Sequence, residues 1–206
     1  KSGAPLFDGV DHRVESAIEV HSLTKRFGGV TAVDDVRLTI PSGSFAGFVG
    51  PNGAGKTTTL AMITGMLRPD LGTVSLYGVD VWRNPTVAKR NLGVLPDRLR
   101  LFDRLTGVEF LHHAGALRGL DHDTMIHSPR VLVLDEPFES VDPVSAAVII
   151  EILQRYVAAG GTVILSSHSM DLIERVCDSV TIIVEGRILA NGPMADVIGS
   201  ETLESR

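Results

Sequence analysis

The sequence predicts an α/β fold, a mostly parallel sheet flanked by helices, with an antiparallel β layer added at its N-terminal side. Three observations carry that reading. Short apolar strands alternate with helical segments through the second half, the pattern of a parallel sheet covered on both faces. The stretch Gly50-Pro-Asn-Gly-Ala-Gly-Lys-Thr57 lies between an apolar strand and a helix, where such folds place phosphate groups. Before it, closely spaced alternating strands separated by turn residues look antiparallel rather than crossed over.

Residues 1–16 are polar and without pattern and read as a loose arm. Ala17–His21, Val36–Ile40 and Phe45–Val49 read as strands, with Pro41-Ser-Gly43 turning the second into the third. The glycine-rich loop follows, then a helix from Thr57 to Leu67, broken by Leu67-Arg-Pro-Asp-Leu-Gly72. Thr73–Tyr77 and Leu92–Leu95 read as further strands, and Thr106–Arg118 has helical spacing. Val131–Leu134 is a continuous apolar run, as expected for a strand buried on both faces. Val144, Val148, Ile152 and Tyr156 recur every four residues and predict a helix with one apolar stripe, stopped by Gly160-Gly161. Thr162–Leu165 is the next buried strand. Met170–Cys177 reads as a helix, followed by strand Val180–Val184, a turn at Glu185-Gly186 and strand Arg187–Ala190. One domain is expected over 17–198, with 199–206 a tail.

Composition narrows the function classes. An apolar fraction of 44% and a charged fraction of 21% belong to a globular protein with a sizeable core. The net charge of −6 argues against a nucleic-acid partner, whose footprint is a basic surface. Cys177 stands alone, so no internal disulfide is available, and it reads as a small buried apolar residue. No run reaches the ~20 apolar residues that cross a bilayer, and the first residues show no basic flank followed by an apolar stretch. Work at a membrane would need another polypeptide to supply the spanning helices.

Gly50–Thr57 fits G-x-x-x-x-G-K-[ST], in which glycines let backbone N–H groups converge on phosphate oxygens. An accidental match is expected in about one chain per hundred of this length, before a strand and a helix are required on its two sides. Within this cradle, Gly50, Pro51, Asn52, Gly53, Ala54, Gly55, Lys56, Thr57 and Thr58 are the candidate nucleotide-binding residues. Lys56 would reach the β- and γ-phosphates, and the Thr57 hydroxyl would hold Mg²⁺. Val131-Leu-Val-Leu-Asp135-Glu136-Pro137 is a buried strand ending in two carboxylates, at the sheet edge where open α/β folds bind ligands. Asp135 there would hold Mg²⁺ through water, and Glu136 would orient and polarise an attacking water. A plain polar turn before Pro137 accounts for the pair equally well in isolation, but not beside a complete phosphate loop. Thr162-Val-Ile-Leu-Ser-Ser-His168 repeats the layout, and His168 would contact a γ-phosphate and hold the attacking water. Taken alone, a helix cap by Ser166 or Ser167 with an incidental histidine is the simpler account of that turn. The remaining histidines show no metal-ligand spacing.

The phosphate loop, Asp135-Glu136, Ser140-Val-Asp142 and Ser-Ser-His168, in this order, resemble the ATP-binding subunits of ABC transporters. The similarity runs from about Ala17 to Val197. It implies a P-loop NTPase core, ATP and Mg²⁺ as ligands, and Phe27 in Thr24-Lys-Arg-Phe27-Gly as the aromatic that stacks on adenine. It also implies that Gly93-Val-Leu-Pro-Asp97, Leu-Phe102 and Leu-Thr-Gly107 form the loop coupling nucleotide to the membrane subunit, in wording closest to the exporter-like (ABC-2 type) branch. The implied function is an ATPase at the cytoplasmic face of the membrane, paired with a polytopic permease and a second ATP-binding subunit, most simply an identical one. A non-transport ABC ATPase acting on DNA or ribosomes, and a P-loop kinase for a small molecule, are the alternatives. Paired ATPase units, coiled-coil insertions or a basic face would mark the first. The second would account for the loop but not for Asp135-Glu136 with His168.

The sequence departs from the family pattern in three places. Asp97 stands where a Gln usually serves as a Mg²⁺ and water ligand, an acidic replacement still able to hold the ion. Ser140-Val141-Asp142 replaces Gly-Leu-Asp in the loop facing the second subunit, keeping the Asp142 carboxylate. The Leu-Ser-Gly-Gly-Gln signature that closes over the partner's γ-phosphate, and the helical subdomain that carries it, are absent from these 206 residues. Only 38 positions separate Asp97 from Asp135 (135 − 97), and the resemblance implies roughly twice that. The expectation is that about fifty residues of the natural chain are missing near Ile126-His127. The alternative is a true deletion, leaving a chain that binds ATP without completing a composite site.

Overall fold

Two sheets share one layer of packing around the glycine-rich loop. The computed structural model describes residues 16–96, 129–139 and 141–204. β1 (Ser16–Phe27), β2 (Val30–Pro41), β4 (Leu71–Leu76) and β5 (Val79–Asp80) form an antiparallel sheet in the order β2-β1-β4-β5. The first two strands are longer than the sequence pattern predicts. Their pairing shifts register between Val20 and Leu23 and again around Lys25, and Ser22 and Asp35 adopt left-handed φ of 51° and 49°. Bulges of this kind break the period-two alternation that would have marked residues 22–27 and 30–35 as strand.

The second sheet has six strands, β3 (Phe45–Val49), β6 (Leu92–Leu95), β7 (Val131–Leu134), β8 (Thr162–Ser167), β9 (Ser179–Val184) and β10 (Arg187–Pro193). Their order is β10-β9-β3-β8-β7-β6. Every pair is parallel except the terminal β9–β10 hairpin. One face of this sheet, with Phe48 and Ile164, joins the antiparallel sheet and Leu60, Met62 and Ile63 of α1 (Lys56–Ile63) in a single core. The other face, with Phe45, Leu165 and Val180, packs on Leu153, Ile173 and Val176. Burial on both faces is what the apolar runs at β3, β7 and β8 predict.

The helices depart from expectation in instructive ways. α1 stops at Ile63 rather than Leu67, because the Thr64 hydroxyl donates back to the Leu60 carbonyl at 2.9 Å and Gly65 turns left-handed at φ 69°. α2 (Pro85–Arg90) and α5 (Met194–Glu204) were not anticipated. The turn ahead of α2 is closed by Asp80 Oδ1, which accepts the N–H groups of Trp82 and Arg83 at 2.8 Å each. α3 (Pro143–Ala158) corrects the stripe read from the sequence. Val144, Val148 and Ile152 face outward, with 76%, 53% and 58% of their surface exposed, while Leu153 is buried with Ile150, Tyr156 and Val157 beside it. The helix is apolar on nearly every side, so a four-residue period alone could not choose its core face. α4 (Met170–Val176) is as predicted, to within one residue. Asp97 and the helix expected at Thr106–Arg118 lie outside the described residues.

Candidate functional site

β3, β8 and β7 are neighbours, and their C-terminal ends open on the same side of the sheet. The glycine-rich loop, His168 and Asp135-Glu136 follow directly from those ends, so the topology assembles what the sequence spreads over more than a hundred positions. Strand register fixes the alignment, with Val49 opposite Ser167 and Leu134 opposite Leu165.

The loop depends on its glycines for reasons visible in the packing. A Cβ on Gly50 would stand 2.2 Å from the Ile183 carbonyl oxygen. A Cβ on Gly55, at φ 99°, would stand 2.5 Å from the Ala32 carbonyl oxygen. Both contacts are backbone and cannot swing aside. The loop is also tied down, since Ala54 N–H donates to Pro51, Gly186 N–H to Ala54 and Asp34 N–H to Gly186. Pro51, Asn52 and Gly53 face solvent. α1 begins at Gly55 with no side-chain cap and no acidic residue in its first turn, which leaves its N–H groups and positive dipole end to an anion.

Lys56 is buried, with 5% of its surface exposed. Its ammonium donates to the Gly50 carbonyl at 2.7 Å and the Pro51 carbonyl at 3.3 Å, and lies 3.3 Å from Glu136 Oε1. Glu136 Oε2 lies 3.1 Å from His168 Nδ1. One carboxylate thus spans the lysine of the loop and the histidine after β8. The backbone of Glu136 is left-handed, at φ 47°, a conformation that non-glycine residues hold only under constraint. These residues line a cleft of about 410 Å³ with Asn52, Gly53, Gly55, Thr57 and Thr58, the size of a small-ligand site.

Asp135 is buried at the end of β7, and its Oδ1 accepts a hydrogen bond from Ser166 Oγ at 2.5 Å. Thr57 and Asp135 border a second hollow of about 110 Å³ between α1 and β6. No group of three His, Cys, Asp or Glu residues with metal-binding arrangement occurs among the described residues.

Two predicted site residues lie elsewhere. Phe27, half-exposed, ends β1 at the hairpin tip, where Lys25 Nζ stands 5.5 Å from its ring centroid. It does not line the cleft, although Ala32 of the same hairpin does. Asp142 caps α3, its Oδ1 accepting the Val144 and Ser145 N–H groups at 3.0 Å. Hydrogen bonds from the Ser145 side chain and backbone hold its carboxyl below the usual range. Three residues escaped the sequence reading: Ala32 and Glu139, which also line the cleft, and Ser166, which bonds Asp135. Ser166 was legible only as a helix cap, but the cap position of α4 is Ser169. Ser167 Oγ accepts the Ser169 N–H. Cys177 is buried as expected, and that burial, with Asp178 adding, pushes its thiol up to about 12.

Known proteins resemble this chain in both sequence and fold. A family model described as ABC transporter matches residues 33–125. The Nod factor export ATP-binding protein I of Paraburkholderia xenovorans is 33% identical over an alignment covering 91% of this chain and 74% of that protein. The chain belongs to the ABC transporter family. The daunorubicin/doxorubicin resistance ATP-binding protein DrrA of Streptomyces peucetius is 30% identical, with 92% and 70% covered. A solved ATP-binding subunit of an ABC transporter superposes with a TM-score of 0.79 over 93% of this chain and 95% of that one, at 24% identity, which supports the fold. As a member of this family, the chain is an ATP-binding subunit and an ATPase that powers transport through a separate membrane subunit, and its curated relatives serve exporter-type systems. Among the described residues no helix is long and apolar enough to cross a membrane.

Proposed function

We propose that the cleft at the ends of β3, β7 and β8 is the ATP site, and that Glu136 is the base that activates water. The observation that carries this is the position of Glu136, held between Lys56 Nζ and His168 Nδ1 on the floor of a glycine-walled phosphate loop. Residues 50–58 would cradle the triphosphate, with Lys56 turning from the Gly50 and Pro51 carbonyls toward the phosphates. Phe27 would meet the adenine from the hairpin. The Thr57 hydroxyl and the Asp135 carboxylate would hold Mg²⁺, with Asp97 as a further ligand. Their hard oxygen donors suit that ion, and Thr57 and Asp135 border the same hollow between α1 and β6. When bound, Mg²⁺ supplies charge neutralisation on the phosphate oxygens. Glu136 would take the proton of the attacking water, and His168, hydrogen-bonded to it, would fix the carboxylate and the water in line.

The wider assembly follows from the same reading. A second copy of the chain would face the turn that carries Asp142, and a polytopic permease would hold both copies at the cytoplasmic face of the membrane. An acidic surface of net charge −6 favours this over nucleic acid. We infer further that the natural chain is longer in its middle. The Nod factor relative is aligned over 225 positions, while 91% of 206 residues is about 187, so about 38 of those positions (225 − 187) face no residue here. The family match also ends at residue 125, beside the expected break near 126/127. Intact-mass measurement of the natural protein should exceed 22.0 kDa by several kDa; a mass of 22.0 kDa would show a true deletion.

Glu136→Gln tests the site. Gln keeps shape and hydrogen bonding but cannot accept the proton, so ATP binding should persist while turnover falls by about 10²-fold or more. Hydrolysis at the parent rate would remove Glu136 from the mechanism.

A further inference from the structure

Ser166 stands on β8, completely buried, beside the point where β7 ends in the two carboxylates. Its Oγ–H donates to Asp135 Oδ1 at 2.5 Å, a short, charge-assisted bond. The same oxygen accepts the Glu136 N–H at 2.9 Å. A hydroxyl has one proton to give, and here it is committed to one carboxylate while a lone pair holds the peptide of the next residue. The sheet itself does not need this group. β8 pairs with β3 and β7 through its main chain, and its neighbours Val163, Ile164 and Leu165 are apolar and equally buried. A buried hydroxyl at that position is unfavourable unless its hydrogen bonds are used.

What they are used for is visible at Glu136. Its φ of 47° sends the chain out of β7 in a direction that aims the side chain at Lys56 and His168. Such a conformation persists where the surroundings over-determine it, and the Ser166 oxygen is the acceptor that holds the peptide in that orientation. We propose that Ser166 is a positioning residue that locks the Asp135 carboxylate for the metal and the Glu136 backbone for catalysis, through one hydroxyl. The proposal rests on the roles assigned above to Asp135 and Glu136.

The test is the metal enhancement of ATP binding, read without turnover. ATP is titrated calorimetrically into the full chain, in excess Mg²⁺ and in EDTA, and the ratio of the two affinities is taken. Ser166→Ala should lower that ratio by about tenfold, the usual loss when a group orienting a metal ligand is removed. Its affinity in EDTA should stay at the parent value, and Ser166→Thr, which keeps the hydroxyl, should keep the parent ratio. If Ser166→Ala does not fold, Ser166→Cys, close in volume and a weak donor, is read in the same way. A parent ratio in Ser166→Ala alongside a lost ratio in Asp135→Asn would overturn the role of Ser166 alone. A folded Ser166→Thr with the same loss as Ser166→Ala would also overturn it. An unchanged ratio in Asp135→Asn would overturn the metal role of Asp135 and the proposal with it.

Discussion

Lys56 shows how much a single side chain depends on the fold around it. The motif names it as the cation for the phosphates, and nothing in the motif says where the ammonium rests otherwise. It rests against two loop carbonyls and Glu136, out of solvent. Truncation therefore does two things. It removes the cation that the phosphates would meet, and it takes the Lys56 ammonium from the Gly50 and Pro51 carbonyls and from Glu136 Oε1, at a cost to stability of about 1–3 kcal/mol. Ser166, too, was misread without the fold around it. A hydroxyl before a helix suggests a cap, and only the adjacency of β7 and β8 reveals that it bonds the carboxylate pair 30 and 31 positions away.

At the level of elements, the strands buried on both faces were the most legible part. A short continuous apolar run between turn or polar residues suits a doubly covered strand, and Phe45–Val49, Val131–Leu134 and Val163–Leu165 supply such runs to β3, β7 and β8. α3 was found, but its core face was not. Val144, Val148 and Ile152 recur every four residues, and Ile150, Leu153 and Val157 recur every three or four; both spacings are helical, and the choice between them is made by β7 and β8 beneath. The N-terminus of α3 makes a pH prediction. Asp142 accepts hydrogen bonds from Ser145 and Val144, which depress its pKa below the ordinary value of 3.8. A depressed carboxyl contributes stability that is present above its unfolded pKa and lost as pH falls through the folded one. Asn also caps a helix but does not titrate. In urea melts taken from neutral pH down to about pH 3, the stability advantage of the parent over Asp142→Asn should shrink at the acid end. An advantage that does not change with pH would exclude this ionisation.

For the whole molecule, the sequence announced a phosphate loop, a parallel sheet and an antiparallel layer, and the structure joins them into one site. The antiparallel layer is more than an appendage. Asp34 N–H and the Ala54 carbonyl both bond Gly186, and the Arg187 guanidinium pairs with Asp34, so β2, the phosphate loop and the β9–β10 turn are fastened together. Those ties were not readable from the sequence, since they join groups, mostly backbone, of residues more than 130 positions apart. Calorimetric titration of MgATP into the parent chain and Lys56→Ala, each checked for folding by its unfolding curve, reads out whether this fastened loop binds ATP through Lys56. One ATP should bind per parent chain, with no measurable tight binding by the folded variant; equal affinity in the two would exclude that role for Lys56.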